Sequence, residues 1–174
     1  YQQFQNGYHD YALEQGAQNL PFLGSVSTQD NPHMVAHRVR ELLLLDQITA
    51  TTPEQWRRDI VKALEEVGVL VMMSGIVGNN THRPLSTDEF RGFCLYDVLA
   101  PLIFFNLAGE SYGAQNFTLV HEFAHLLAGH SALSGGDHLL GGTSEEAWCN
   151  RVAALALLPD DALVAFDAAQ SVQD

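Results

Sequence analysis

His121-Glu122-Phe123-Ala124-His125 is an H-E-x-x-H pentapeptide inside a largely apolar run, residues 117–128. On a helix the two histidines fall one turn apart on one face, where their imidazoles can grip a single divalent ion while Glu122 stands beside it as a general base. That is the chemistry of metal-assisted hydrolysis. Composition makes an accidental match uncommon: 8 His among 174 residues, with Glu at a similar density, yield roughly 0.02 such pentapeptides per chain. A plainer reading competes, in which His121 and His125 are half-buried helix residues with backbone or carboxylate partners. The presence of a third ligand decides between the two.

A catalytic zinc site takes three protein ligands and keeps one position open, and His₂Glu is one standard set. Downstream, Thr143-Ser144-Glu145-Glu146 opens a second helix that runs through Val152 and Leu155 to Pro159. Glu146 and Asn150 are i, i+4 neighbours on it, so Glu146 can reach the metal while Asn150 hydrogen-bonds a ligating imidazole and holds its tautomer. Thr143-x-x-Glu146 is equally a capping box, in which the carboxylate only satisfies the Thr143 N–H, and spacing alone leaves the readings level. Glu145 is the competing ligand, and its simpler role is a solvated acid in the first turn.

Taken together, these residues resemble the ImmA/IrrE-type zinc metallopeptidases, whose metal site follows the logic of thermolysin. The likeness lies in residues 91–97, 100–106 and 117–127, and in the helix Glu146-Ala147-Trp148-Cys149-Asn150-Arg151-Val152 with its Leu157-Leu158-Pro159 stop. It covers the second half of the chain, and the later helix is its more specific part. The resemblance implies Zn²⁺ on His121, His125 and Glu146, with another divalent ion such as Mn²⁺ able to use the same ligands. It makes Glu122 the general base and Asn150 the group that orients a ligand imidazole. Val152 departs from the family's usual Phe, and His130 lies one position beyond a His that often follows the motif; both touch packing more than chemistry.

In the implied mechanism zinc acidifies its water to a pKa of about 7 and Glu122 accepts the proton, later returning it to the leaving amine. His138 and Tyr112 are candidates for stabilising the oxyanion. Strand Leu102–Asn106 is expected to border the cleft, where a substrate could add as an extra strand. The resemblance further implies an endopeptidase that cleaves a helix-turn-helix repressor to relieve repression, often with a helix-turn-helix domain ahead of the peptidase. Two other functions share these residues. One is a non-catalytic metal-binding regulatory or protein-binding module, which the retained Glu122 and the open fourth position oppose. The other is a small-molecule hydrolase with the same ligands, which the shape of the cleft would separate from a peptidase.

The remaining histidines carry less. His33 and His37 are also i, i+4, but no acid adjoins either and their setting is polar, so surface placement is expected. Gly129 and His130 fall at the wrong offsets for the three-histidine H-E-x-x-H-x-x-G-x-x-H pattern.

Composition narrows the class. With 47% hydrophobic and 17% charged residues the chain is ordinary for a globular protein, and no apolar stretch reaches the length of a membrane span. A net charge of −13 opposes direct binding to a phosphate backbone. Cys94 and Cys149 show no paired spacing, which fits a reducing cytoplasm. The opening at Tyr1 lacks both Met and a secretory signal, so residues 1–30 are expected to be an arm or linker from a longer chain, and residues 31–174 a single metallopeptidase domain.

Residues Phe4, Tyr8, Tyr11 and Leu13 permit a short amphipathic helix. Asn31-Pro32 starts another, with Met34, Val35, Arg38, Leu42 and Leu45 on one face, and Thr52-Pro53-Glu54-Gln55 is a capping box ahead of the stripe Trp56, Ile60, Val61, Leu64, Val67. Residues 69–73, 92–96 and 102–106 read as three strands, with 97–101 as a hairpin connection and 74–89 as a loop, either an active-site border or a mobile flap. Helices, a small sheet of about three strands, then helices make an α+β fold of zincin type.

Overall fold

A computed structural model of the chain describes residues 1–77, 80–86, 90–134 and 144–158. His138, Thr143 and Pro159 lie outside the described residues. The fold is α+β. In order come α1 (Gln2–Glu14), α2 (Pro32–Leu42), a 3₁₀ turn (Leu45–Gln47), α3 (Pro53–Glu66), β1 (Leu70–Ser74), β2 (Ile76–Val77), β3 (Asn80–Pro84), β4 (Gly92–Leu95), β5 (Leu102–Asn106), α4 (Tyr112–Ala128), β6 (Ala132–Ser134) and α5 (Ser144–Leu157).

Helix starts follow their caps. Asn31 accepts from the His33 N–H ahead of Pro32, and Thr52 accepts from the Gln55 N–H ahead of Pro53, each satisfying a donor that no helical carbonyl can reach. Helix α3 buries Ile60 and Leu64, with Trp56, Val61 and Val67 packed beside them. Of the expected face, Val35 and Leu45 are buried, but helix α2 also buries Ala36 and Val39, and Met34 points outward at 73% exposure. The small Ala36 permits the close approach of α5, which packs along this helix.

The sheet holds four strands in the order β1-β5-β4-β6, not three. Three residues, Ala132 to Ser134, are too short a run to show an alternating pattern, so β6 carries no strand signal of its own. Residues 74–89 are not simply a loop, because β2 and β3 pair antiparallel within them. A third correction bears on function. Strand β5 is central, parallel to β1 on one side and antiparallel to β4 on the other, so no substrate can add to it as a further strand. All five of its residues are buried, the mark of a strand covered on both faces, and its unbroken apolar run carries that signal.

One sheet face meets α4 through Ile103 and Phe105, which share a core with Leu119 and Phe123. The alternate residue Phe104 looks the other way, stacking on its register partner Phe93 at 5.0 Å, with the Tyr1 ring tilted against it at 4.6 Å. Helix α1 docks on this side with its polar edge. Gln5 is buried and donates to the carbonyls of Leu95 and Ala100 at 2.9 Å each, while Phe4, Tyr8, Tyr11 and Leu13, the residues that suggest the amphipathic helix, are all exposed. Satisfying two strand-end carbonyls outweighs burying that stripe.

His9 and Asp97 add an ion pair at 2.8 Å. The hydrogen bond to Asp97 raises the His9 pKa. Burial works to raise that of Asp97, but hydrogen bonds from His9 and from the Leu99 and Ala100 N–H groups outweigh it and lower the pKa. The raised histidine contributes fully below its unfolded value of about 6.5, and the contribution fades as pH climbs through the folded value; the lowered aspartate acts above about 3.9 and fades as pH falls through its folded value. Amide-exchange protection of α1, corrected for intrinsic rates, should therefore fall as pH rises from about 6 to about 8, and a His9→Ala variant should lose that dependence. Equal pH profiles in the two proteins would refute the assignment.

Candidate metal centre

Helix α4 is apolar nearly all round, and 12 of its 17 residues are buried, so polar side chains on it sit in the protein interior. His121, Glu122 and His125 are 3%, 0% and 1% exposed. Its C-terminal end is closed by backbone contacts. Gly129 takes the left-handed conformation at φ 82°, which lets the His130 N–H return to the His125 carbonyl. Gly24 and Val26, from the segment after α1, donate to the carbonyls of Leu126 and Leu127. A Cβ on Gly129 would come within 3.2 Å of the Gly24 backbone, so both glycines are needed for this crossing.

Helix α5 brings Glu146 to the same place. His121 Nε2 lies 3.2 Å from Glu146 Oε2, His125 Nε2 lies 3.2 Å from Glu146 Oε1, and the two Nε2 atoms are 3.2 Å apart. Ligand atoms of all three residues fall within 4.8 Å of one another and could hold a metal ion. Two atoms each about 2.0–2.1 Å from a tetrahedral ion sit about 3.3–3.4 Å apart, so the nitrogen spacing fits a shared cation. The two-histidine pair, expected from the spacing, and the acid downstream, implied by the resemblance, are thus brought together.

What surrounds the trio sets ring orientation. Glu145 Oε1 accepts from His125 Nδ1 at 3.1 Å and from His130 Nδ1 at 2.7 Å; it is neither a free surface acid nor positioned at the Nε2 cluster. Burial works to raise its pKa, but the bonds from His130 and His125 prevail and lower it. Burial, then the neighbouring His121, lowers the pKa of His125, keeping the imidazole in its neutral, metal-ligating form. On the other ring, His121 Nδ1 is buried without a hydrogen-bond partner among the described residues, as is Asn150 Oδ1. The hydrogen bond expected from Asn150 to a ligating imidazole is therefore not made, and the outer nitrogen of His125 is taken by Glu145.

Glu122 lies under β4. A Cβ on Gly92 would sit 2.6 Å from Thr118 Cγ2, 2.9 Å from the Phe104 carbonyl and 3.4 Å from Glu122 Oε1, so only glycine leaves room for the strand to cross the helix here. Burial, followed by the charge of Glu122, holds the Cys94 thiol well above its ordinary pKa, and burial with the Glu146 and Glu145 charges raises that of Cys149. Both cysteines are free, and as protonated thiols they are poor nucleophiles and poor ligands.

Residues 64–172, more than half of the chain, match the family model of the IrrE N-terminal-like domain, Peptidase_M78. The chain belongs to this family. No curated protein matches it. The M78 match runs from the end of α3 past α5 and so contains every residue of the His-His-Glu group. It bears out the ImmA/IrrE resemblance and makes this a metallopeptidase-like domain.

Other expected site residues fall elsewhere in the M78 fold. Tyr112 opens α4 and lies beneath Arg57, whose guanidinium carbon is 4.7 Å from its ring centroid; nine residues before His121, it stands about 13 Å away along the helix axis. His33 and His37 are exposed, His37 beside Glu41 at 3.6 Å. Sequence reasoning misses Gly92 and the bond from His125 to Glu145; only the Glu145-Glu146 doublet hints at the latter. Phe117 stacks on His121 at 6.1 Å and also walls an apolar groove of about 630 Å³ with Trp56, Ala154 and Leu157. Among the described residues no helix is long and apolar enough to cross a membrane.

A Gly92→Ala substitution should destabilise the domain by about 1–3 kcal/mol, because the new methyl meets backbone on one side and Thr118 on the other. Chemical denaturation measures this, and an unchanged midpoint would show that the strand can move off the helix without cost.

Proposed function

We propose that this M78 domain is a zinc-dependent endopeptidase with His121, His125 and Glu146 as ligands and Glu122 as general base. The observation that carries the reading is the convergence of two Nε2 atoms and one carboxylate within 3.2 Å contacts, with Glu122 next in sequence to His121 and fully buried. A closed structural site would use a fourth protein ligand, whereas among the described residues the group that converges here comprises His121, His125 and Glu146. Zn²⁺, when bound, supplies Lewis acidity and brings the pKa of water toward about 7.

Glu122 takes the proton from the attacking water and delivers it to the leaving nitrogen, a role that suits a carboxylate held in a fixed place under Gly92. Glu145 holds the His125 imidazole by its far nitrogen, while His121 Nδ1 has no such bond among the described residues. The substrate we infer is a polypeptide, and the resemblance to ImmA/IrrE proteins suggests a DNA-binding repressor of helix-turn-helix type as that polypeptide, met in the cytoplasm. The apolar groove beyond Phe117 suits the side chains of such a substrate better than it suits a small polar ligand.

Glu122→Gln should keep one zinc per chain while cleavage of a candidate repressor falls about 10²–10⁴-fold. Elemental analysis and gel-based cleavage read the two effects separately, and unchanged cleavage with zinc retained would remove Glu122 from the mechanism. Glu146→Ala should lose the metal with the helical circular dichroism intact; zinc retained at wild-type affinity would exclude Glu146 as a ligand. Wild type that holds one zinc yet cuts no repressor would favour a binding module over an enzyme.

A further inference from the structure

We infer that Glu145 is a positioning residue for the metal centre: its carboxylate clamps the His125 imidazole through Nδ1, and His130 in turn clamps the carboxylate. The inference rests on the metal-ligand reading of His125 and adds a residue to it.

Three observations carry it. Glu145 Oε1 is 3.1 Å from His125 Nδ1 and 2.7 Å from His130 Nδ1, so one oxygen accepts two imidazole N–H groups. His125 is 1% exposed at its side chain and Glu145 only 31%, so the contact to His125 is not the loose pairing of two surface chains. And the bond falls on Nδ1, the ring nitrogen that does not face His121 and Glu146, whose contacts are with Nε2. A neutral imidazole carries one proton; with Nδ1–H donated to a carboxylate, Nε2 is left with its lone pair toward the cluster, as a ligand must be.

The clamp also spans two elements. His125 and His130 belong to the last turn of α4 and the residue just past its Gly129 cap, whereas Glu145 belongs to the first turn of α5 beside Glu146. Each helix contributes ligands, so the distance between the histidine and glutamate ligands depends on how these two ends are held. His130, half exposed, closes the clamp on its outer side and limits the rotamers of Glu145.

Zinc competition against a chelating indicator, together with ¹⁵N spectra of histidine-labelled protein, tests the assignment. In wild type His125 should be the Nδ1–H tautomer, and Glu145→Ala should weaken zinc binding about 10–100-fold and mix the tautomers. Glu145→Gln, which keeps an acceptor oxygen, should restore most of the affinity. His130→Ala should weaken zinc binding less than Glu145→Ala does. Wild-type affinity and a pure Nδ1–H His125 in Glu145→Ala would overturn the inference, as would a Gln variant no better than Ala. Should Glu145→Ala not fold, the folded Gln variant decides by its His125 tautomer. Wild type that binds no zinc would defeat the metal reading instead, and the tautomer in the metal-free protein would still test the Glu145 contact.

Discussion

Helix α4 must bury two imidazoles and a carboxylate in the middle of an apolar surface, and the rest of the domain is arranged around that demand. An isolated carboxylate taken from water costs several kcal/mol even after the surroundings relax. Glu122 at 0% exposure is therefore tolerable only where polar partners and a counter-charge are close. Glycine at position 92 lets β4 lie against the carboxylate without a side chain between them. Helix α5 arrives with Glu146 on one side of the histidines, and Glu145 reaches the outer nitrogen of His125. The sheet contributes no residue to the His-His-Glu group, yet through Gly92 it supplies the wall on one side of Glu122.

Holding α4 and α5 in register falls largely to residues far upstream. Gly24 and Val26 close the last carbonyls of α4, and the Trp148 indole N–H on α5 donates to the Asp30 carbonyl at 2.9 Å. Arg40 on α2 donates to the Ala156 carbonyl near the end of α5 and pairs with Asp46, a cation placed where the helix dipole is negative. These contacts satisfy helix ends that would otherwise be buried and unpaired. Because His125 and Glu146 sit near facing ends of their helices, a shift of either end changes the ligand spacing directly. The first forty residues thus act on the site through hydrogen bonds to backbone carbonyls without presenting a group to it.

Legibility in the sequence tracks how local each interaction is. The caps at Asn31 and Thr52 and the α3 stripe depend on neighbours within two turns, and they appear as read. The H-E-x-x-H pair and Glu146 come through because helical periodicity fixes one face and the family resemblance supplies the partner helix. What stays hidden involves separation in space: Gln5 reaching carbonyls some ninety residues on, the central place of β5, and the choice of Glu145 over solvent for His125. The exposed Phe4, Tyr8 and Tyr11 show the same limit from the other side. Their pattern announces a helix correctly, but which face docks is decided by two strand-end carbonyls needing a donor.

The doublet Glu145-Glu146 shows how adjacent residues of one type come to differ. Consecutive positions on a helix point about 100° apart, so two acids in the first turn cannot both face α4. Glu146 takes the inward direction, at 15% exposure against 31% for Glu145, and meets the Nε2 atoms, while Glu145 meets Nδ1 from the rim. The result is a His125 ring with a carboxylate of the same turn beside each nitrogen. If both imidazoles were protonated, two cations would lie 3.2 Å apart at their Nε2 atoms in a medium that strengthens their repulsion. If both are neutral with lone pairs inward, the acceptors crowd instead. A single divalent cation at their common point would remove either conflict and also offset the buried acids, which is the electrostatic reason the His-His-Glu arrangement could hold a metal ion.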